Sequence, residues 1–389
     1  MTTAALRIVH LSIVHRPDDP RIFERECRTL ADAGHAVTYV VPAPVPGGSP
    51  HGVDFWALPQ RPRSRRLLNT TEILRAVRTL KPHVVHFHDP EILAILPVLR
   101  RLVPRLVYDV HEYHHLELAQ KYYLPERVRP HAPKAAAAAQ RTALRLVDGL
   151  VAVVDDQFDD LGPRPALRVT LPNYPRFTRF AEPEARVGRR ADPRLRLVHI
   201  GSLTKSRGVP TMLDVLARHQ AEGHNDALLC LGGVFYNPKF EAEVRERIDG
   251  ELAGRVELLG RVAPDDVPGY LAAADVVWIA STLGGQHHRR MVPTKLYEGL
   301  AAGCAALVSD LPGRADVVLA EDCGVAVPPT VEGHAAGLAK LLADRDAVAQ
   351  MGARGRHAVE QRYCWEVIED RLLDFYDELT RSCTAPVTR

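Results

Sequence analysis

The stretch LRLVHIGSLTKSRGVPTMLDVLARHQ, residues 195–220, decides the fold. LRLVHI (195–200) is a short apolar run of strand type. GSLTKSRG (201–208) follows at its carboxyl end, and a helical pattern opens at about 209. Strand, loop and helix in this order are the repeating unit of a parallel α/β sheet, whose ligands bind beyond the carboxyl ends of the strands. Gly201 and Gly208 permit close backbone approach, the helix start presents N–H groups, and Lys205 and Arg207 add positive charge. The loop therefore reads as a phosphate cradle, or else as an ordinary basic loop. It matches neither the P-loop nor GxGxxG.

The same rhythm extends in both directions. Downstream, the strand candidates are ALLCLG (227–232), RVELLG (255–260), DVVWIA (275–280), CAALVS (304–309) and GVAV (324–327), with helical segments at about 239–252, 294–302 and 333–343. Upstream lie RIVHLSIV (7–14), AVTYVV (36–41), VVHF (84–87), LVYDV (106–110) and GLVAVV (149–154). Several are apolar at nearly every position, as strands covered on both faces are. The helical pattern IFERECRTLADAG stops at Gly34, the alanine run at 135–139 reads as helix, and Asn69-Thr70-Thr71 reads as a helix start with Asn69 capping and Glu72 at the third position.

Two such series predict two Rossmann-like doubly wound domains, at 1–171 and 195–364. Residues 172–194, rich in Pro and charge, suit a linker. The segment 365–389 reads as an amphipathic helix and tail, with Ile368, Leu372, Phe375 and Leu379 on one face, able to cross back to the N-terminal domain.

At 389 residues and a net charge of +2, the chain is long enough for two or three domains and has no charge that demands a nucleic acid partner. One basic cluster, RPRSRR (61–66), is either a solvated loop or a contact for phosphate or anionic lipid. Six scattered cysteines (Cys27, Cys230, Cys304, Cys323, Cys364, Cys383) have no CxxC spacing, which argues against a disulfide framework or a cysteine zinc site and for a reducing, cytoplasmic setting. The N-terminus has no signal-peptide pattern, and no stretch approaches the ~20 apolar residues of a membrane span.

A second constellation, STLGGQHHRRMVPTKLYEGLAAG (281–303), leads a Gly-rich loop into a helix near Pro293. Glu298, about one turn in, is placed to accept both hydroxyls of a ribose, or is a solvated surface carboxylate.

Together these segments resemble the retaining GT-B glycosyltransferases of family 4, the glycosyl transferases of group 1. That family carries G-R-L-x-x-x-K-G and, well downstream, an E-x7-E helix and an A-x-G-x-P-V strand. Here GSLTKSRG has Ser202 for Arg and Arg207 for Lys, and PTKLYEGLAAGCAALVSD has Glu298 as the second Glu, with Arg290 where the first would stand. The spacer VELLGRVAPDDVPGYLAAADVVWIAS, with its Gly-Arg-Val turn (260–262), is similar to the family's. So are HRPDDPRIFERECRTLADAGHAV, HVVHFHDPE and VYDVHE in the N-terminal half.

The resemblance implies a GT-B fold of two facing Rossmann-like domains with a deep interdomain cleft. It implies transfer of a sugar from a nucleotide diphosphate sugar, UDP- or GDP-linked, to an acceptor hydroxyl with retention, without metal or cofactor. The acceptor would be a small molecule, a glycan or a lipid-linked species, compatible with peripheral membrane contact. His111, Arg207 and Lys205 would be catalytic. Gly201, Ser202, Arg261, Val262, Pro293, Thr294, Lys295 and Glu298 would bind the donor. Asp18, Arg21, His88, Asp89 and Glu112 fall on the acceptor side. The retaining mechanism suggested for the family lets the departing phosphate oxygen take the acceptor proton, so no general base is required.

Three competing readings remain. His-Glu-Tyr-His-His (111–115) matches the zinc pattern HExxH, but that pattern needs a continuous helix and here follows a strand. A nucleotide-sugar 2-epimerase would keep the fold and change the chemistry. A non-catalytic nucleotide-sugar sensor would keep the cradle and lack turnover.

Overall fold

The computed structural model describes residues 5–111, 132–181, 192–281 and 293–381. The chain divides into two compact units, Met1–Asn173 with Ile368–Arg389, and Tyr174–Val367.

The N-terminal unit is built on a seven-stranded parallel sheet in the order β3-β2-β1-β4-β5-β6-β7. Its strands are β1 Arg7–Leu11, β2 Ala36–Pro42, β3 Val53–Leu58, β4 Val84–Phe87, β5 Arg105–Val110, β6 Gly149–Ala152 and β7 Leu167–Thr170. The central strands follow the apolar runs, and β4 is buried at every position. The sequence pattern missed β3 and β7 for a physical reason. They are the edge strands, β3 half-exposed along its middle with its apolar run broken at Asp54, and β7 partly exposed throughout with polar residues alternating. Strand β1 stops at Leu11, short of the expected 14. The Ser12 hydroxyl and the Ile13 N–H both donate to the Asp89 carboxylate, at 2.8 and 2.6 Å, and turn the chain there.

Gly34, at φ +90°, ends the helical stretch Ile22–Asp32 as expected. Asn69 does not cap. It stands at the start of helix Thr70–Leu80, but its side chain turns back, accepting from Arg61 Nε at 2.8 Å and donating to the Pro59 carbonyl at 3.1 Å. Closing that loop competes with capping for the same amide. The C-terminal helix Glu369–Arg381 belongs to this unit. Phe375 packs under Gly149, where an added Cβ would lie 2.5 Å from the ring, and Arg105 Nε donates to the Leu379 carbonyl at 3.1 Å. Ile368, Leu372, Phe375 and Leu379 are all buried, which is the face read from the sequence.

The C-terminal unit repeats the plan with a six-stranded parallel sheet in the order β10-β9-β8-β11-β12-β13. Its strands are β8 Leu195–Ile200, β9 Ala227–Gly232, β10 Val256–Gly260, β11 Val276–Ile279, β12 Ala305–Ser309 and β13 Gly324–Val327. One face packs around Trp278, Leu229 and Leu307, the other around Val277, Leu296 and Leu300. The order reverses between β8 and β11, the switch point at which a doubly wound sheet opens a ligand crevice.

An 18-residue helix, Arg345–Arg362, was not anticipated. It packs through glycines rather than an apolar stripe, since an added Cβ at Gly352 would lie 2.1 Å from the Gly303 carbonyl and one at Gly355 2.6 Å from Leu300. Its amphipathic signal is correspondingly weak.

Residues 174–181, expected as linker, are packed into this unit. Phe180 is buried, the Tyr174 and Tyr297 rings lie 4.9 Å apart, and the Trp365 N–H donates to the Pro175 carbonyl at 2.8 Å. The five described cysteines are buried and none forms a disulfide, while Cys383 lies outside the described residues.

Candidate functional site

In the C-terminal unit the loop 201–208 leaves β8 at the switch point and opens helix Val209–Ala221. Gly208 has φ +85°, and an added Cβ would lie 1.7 Å from the Ala280 carbonyl, so only glycine brings the loop this close to the end of β11. At Gly201, with φ +145°, an added Cβ would lie 2.7 Å from Lys295 Nζ. The Lys295 ammonium therefore lies directly over the Gly201 backbone.

Lys295 is aimed by His199. The His199 Nδ1–H donates to the Trp278 carbonyl at 2.9 Å, which leaves Nε2 to accept from Lys295 Nζ at 3.2 Å. Burial, then the Lys295 charge, holds the His199 pKa well below its usual value, so the ring is a neutral acceptor. The next turn of the network is also fixed. The Trp278 indole donates to His334 Nδ1 at 3.1 Å, and the His334 Nε2–H then donates to the Ser309 hydroxyl at 3.0 Å.

Three cations converge here. Burial and then Arg207 push the Lys295 pKa down to about 7, with Glu298 opposing. Burial and then Arg207 push Arg314 down to about 10. Arg314 heads helix Arg314–Ala320, just past β12, and is buried. It was not among the expected residues, although its place after a strand's carboxyl end is the signal that marked the others. Cations held below their usual pKa by burial and by a neighbouring like charge are stabilised by an anion between them.

Glu298 is half-buried on helix Thr294–Ala301, on the turn after Lys295. Pro293 stands at that helix's N-cap, no side chain caps it, and Thr294 opens its first turn. Val262 packs on Gly232 at the end of β9, with 2.8 Å between its Cγ2 and an added Cβ there, whereas Arg261 is exposed. Ser202 is half-buried in the loop. Lys205 departs from expectation. Its side chain is 64% exposed, pairs with Glu243 Oε2 at 3.1 Å and lies over the Phe240 ring. The helix Pro238–Asp249, which carries both partners, draws it away from the cations. Arg290 lies outside the described residues.

In the N-terminal unit a polar network fills the carboxyl ends of β1, β4 and β5. Asp109 is its centre. Arg21 holds both oxygens, Nε to Oδ2 and Nη2 to Oδ1, each at 2.8 Å. His111 Nε2 lies 2.7 Å from Oδ2, and His88 Nδ1 lies 3.2 Å from it. Burial alone would raise the Asp109 carboxyl, but Arg21, then His111 and His88, hold it well below the usual range. As an ionised acceptor it takes N–H from both rings. His88 Nε2 then accepts from His10 Nδ1 at 3.0 Å. Burial keeps His88, at about 4, and His111 below the ordinary histidine value.

The expected acceptor-side residues separate here. Arg21, His88 and Asp89 are buried, and each is bonded to other members of the network. Asp18 stands apart in an exposed pair with Arg16 at 2.8 Å, and its neighbour Asp19 takes the inward place, 2.8 Å from His15 Nδ1. Glu112 lies outside the described residues. His10, Glu26 and Asp109 were missed, although His10 and Asp109 each interrupt an apolar strand, where a buried polar group must find partners.

Among the described residues, two groups could draw a metal ion. Glu26, His86, His88 and Asp109 offer ligand atoms within 4.8 Å of one another. Arg21 already supplies the cation there, holding Asp109 and lying 3.2 Å from Glu26 Oε1. In the second group, His219, Glu222 and His224, His219 is bonded to Asp226 at 2.6 Å and Glu222 to Arg218 at 3.0 Å. As for the HExxH reading, His111 follows β5 directly, and residues 112–115 lie outside the described residues.

Residues 194–344 match the family described as Glycosyl transferases group 1, and residues 21–174 match the Glycosyl transferase 4-like domain. A GDP-mannose-dependent alpha-(1-6)-phosphatidylinositol monomannoside mannosyltransferase of Mycobacterium tuberculosis is 28% identical over 197 residues, 50% of either chain. A phosphatidyl-myo-inositol mannosyltransferase of Mycolicibacterium smegmatis is 33% identical over 141 residues, 36% of this chain and 35% of that one. The matches thus span half or less of these curated relatives. Sucrose-phosphate synthase of Thermosynechococcus elongatus superposes with a TM-score of 0.77 at 17% identity, over 97% of this chain and 100% of that one. Anabaena HepE, solved with UDP and glucose, gives 0.72 at 15% identity, over 96% and 100%. WaaG, a glycosyltransferase involved in lipopolysaccharide biosynthesis, gives 0.71 at 19% identity, over 94% and 99%. The fold is that of the GT-B structures.

Proposed function

The chain belongs to the glycosyl transferases of group 1, with a 4-like N-terminal domain, and from that premise we propose that it transfers a sugar from a nucleotide diphosphate sugar to an acceptor hydroxyl. The observation that carries this reading is the convergence of Lys295, Arg207 and Arg314 on the Gly201 loop, where a diphosphate would relieve their mutual repulsion. Glu298 accepts the ribose hydroxyls, and the Gly260-Arg261-Val262 turn flanks the base. Arg207 is the principal diphosphate ligand, because its fork can hold two phosphate oxygens at once. Lys295 is the second ligand, in the place first expected for Lys205.

As the glycosidic bond to phosphate breaks, charge builds on the leaving diphosphate, and preorganised cations stabilise that charge without a metal ion. The leaving phosphate oxygen takes the acceptor proton, and the anomeric configuration is retained. His111, held by Asp109, is the catalytic candidate of the N-terminal unit. The donor base is guanine or uracil. A mannosyltransferase relative is named for GDP-mannose, and HepE was solved with UDP. Nucleotide-sugar chemistry suits the cytoplasm, as does the absence of a disulfide among the five described cysteines.

The test is a thermal-shift screen of the whole chain against UDP- and GDP-sugars, followed by measurement of nucleoside diphosphate release with and without acceptor extracts. Acceptor-dependent release is expected. Epimerised sugar formed without acceptor, or binding without any release, would contradict the proposal.

A further inference from the structure

The segment PQRPRSRRLLN, residues 59–69, leaves the carboxyl end of β3 at the sheet's edge and returns into helix Thr70–Leu80. It contains four arginines and no acidic residue. Its base is fixed. Asn69 is buried and ties Arg61 to Pro59, and the Thr70 hydroxyl donates to the Leu67 carbonyl at 2.6 Å. Residues Arg63–Asn69 form a 3-10 helix that leads into Thr70–Leu80, and on it Leu67 is 54% and Leu68 59% exposed. The other large exposed apolar residues among those described, such as Val98, Tyr236 and Leu319, stand singly, as surface apolar residues commonly do. An adjacent pair beside Arg65 and Arg66 is a different surface. Apolar side chains flanked by cations fit the headgroup boundary of an anionic bilayer, where acyl chains take the leucines and lipid phosphates take the arginines.

We propose that this segment docks the protein on anionic membranes, with Leu67 and Leu68 inserted at the interface and Arg65 and Arg66 on lipid phosphates. Because the segment leaves the sheet on the side of the strands' carboxyl ends, the side on which Asp89 follows β4 and His111 follows β5, docking brings a lipid-borne acceptor to that side. This last clause alone rests on the proposed glycosyl transfer.

The experiment is co-sedimentation of the full chain with vesicles of pure phosphatidylcholine and with vesicles containing phosphatidylglycerol. The expected result is binding to the anionic vesicles only, weakened by salt. Leu67→Asp with Leu68→Asp should lower the partition coefficient at least tenfold, and Arg65→Gln and Arg66→Gln should each lower it about fivefold. Binding of UDP or GDP, measured in parallel, should be unchanged in every variant. That control shows the variants are folded, and it separates failure of the docking idea from failure of the donor site. Equal binding to both vesicle types would overturn the proposal, as would leucine variants that bind like the parent. Loss of vesicle binding to millimolar inorganic phosphate at constant ionic strength would show a site for free phosphate instead, and would also overturn it.

Discussion

The Lys295 ammonium lies 3.2 Å from His199 Nε2, a ring nitrogen made an obligatory acceptor because the other nitrogen donates to the Trp278 carbonyl. One hydrogen bond in the sheet thus fixes the direction of a cation over the Gly201 backbone. Burial, and then the charges of Arg207 and Arg314, push the Lys295 pKa down to about 7, with Glu298 opposing.

An anion bound there favours the charged form of Lys295. Nucleoside diphosphate binding should therefore take up protons between pH 7 and 9, and affinity should fall as pH rises above 7, by up to about tenfold per unit. Calorimetry in buffers of different ionisation enthalpy measures the uptake. Lys295→Gln should abolish it, and uptake that persists in this variant would assign the proton elsewhere.

Glu298 has a separate task. Replacing it with Gln should weaken nucleoside diphosphate binding by about 1–3 kcal/mol, the range for hydrogen bonds to a charged acceptor. Thermal stability should barely change, since Glu298 is half-buried and outside the apolar core. Unchanged affinity would make it a solvated side chain.

His15 makes the N-terminal unit sensitive to alkali. Burial opposes its charge, but the hydrogen bond and charge of Asp19, with Asp89 and Asp109, push its pKa up to about 9 from an ordinary 6.5. A folded pKa above the unfolded one gives stability that is complete below about pH 6.5 and is lost as pH rises through 9. Denaturant midpoints should therefore fall across that window in the parent protein, and the fall should be smaller in His15→Asn. An identical slope in the two proteins would contradict the pairing.

Metal dependence distinguishes the cationic cradle from the HExxH reading. Turnover should survive EDTA, because Arg207, Lys295 and Arg314 carry the charge that a divalent ion would otherwise neutralise. Turnover lost to chelation and restored by zinc would refute this.

How far the sequence could be read depends on burial. The runs LRLVHI and VVHF were legible because strands covered on both faces must be apolar. LRVT was not, because that edge strand is partly exposed throughout and alternates polar residues, whereas VDFWAL was passed over although Asp54 alone breaks its apolar run. Helix Arg345–Arg362 was hidden because close packing at Gly352 and Gly355 replaces an apolar stripe. The place of Gly201, Gly208 and Arg207 between a strand and a helix was legible from the apolar run that precedes them. Lys205 and Lys295 were both expected at the site, but their partners, Glu243 for one and His199 for the other, are distant in sequence, and nothing in the sequence marks Asp19 rather than Asp18 as the partner of His15. Asp109 interrupts the apolar run LVYDV, and Arg21, which closes on it together with His111, is distant in sequence.

The most direct measurement is kcat and KM for nucleoside diphosphate release in Arg207→Ala, Arg207→Lys and Lys205→Ala, using the donor found by the screen. Arg207 should grip the diphosphate more tightly as charge builds on it, so its loss should lower kcat more than it raises KM. Arg207→Ala should cost on the order of 10²–10³ in kcat, by comparison with removal of one preorganised donor. Arg207→Lys should recover much of that loss, and Lys205→Ala, which breaks only an exposed pair with Glu243, should stay near the parent. Near-normal kcat in Arg207→Ala together with a collapse in Lys205→Ala would contradict the account, because the diphosphate would then lie on the other side of the loop.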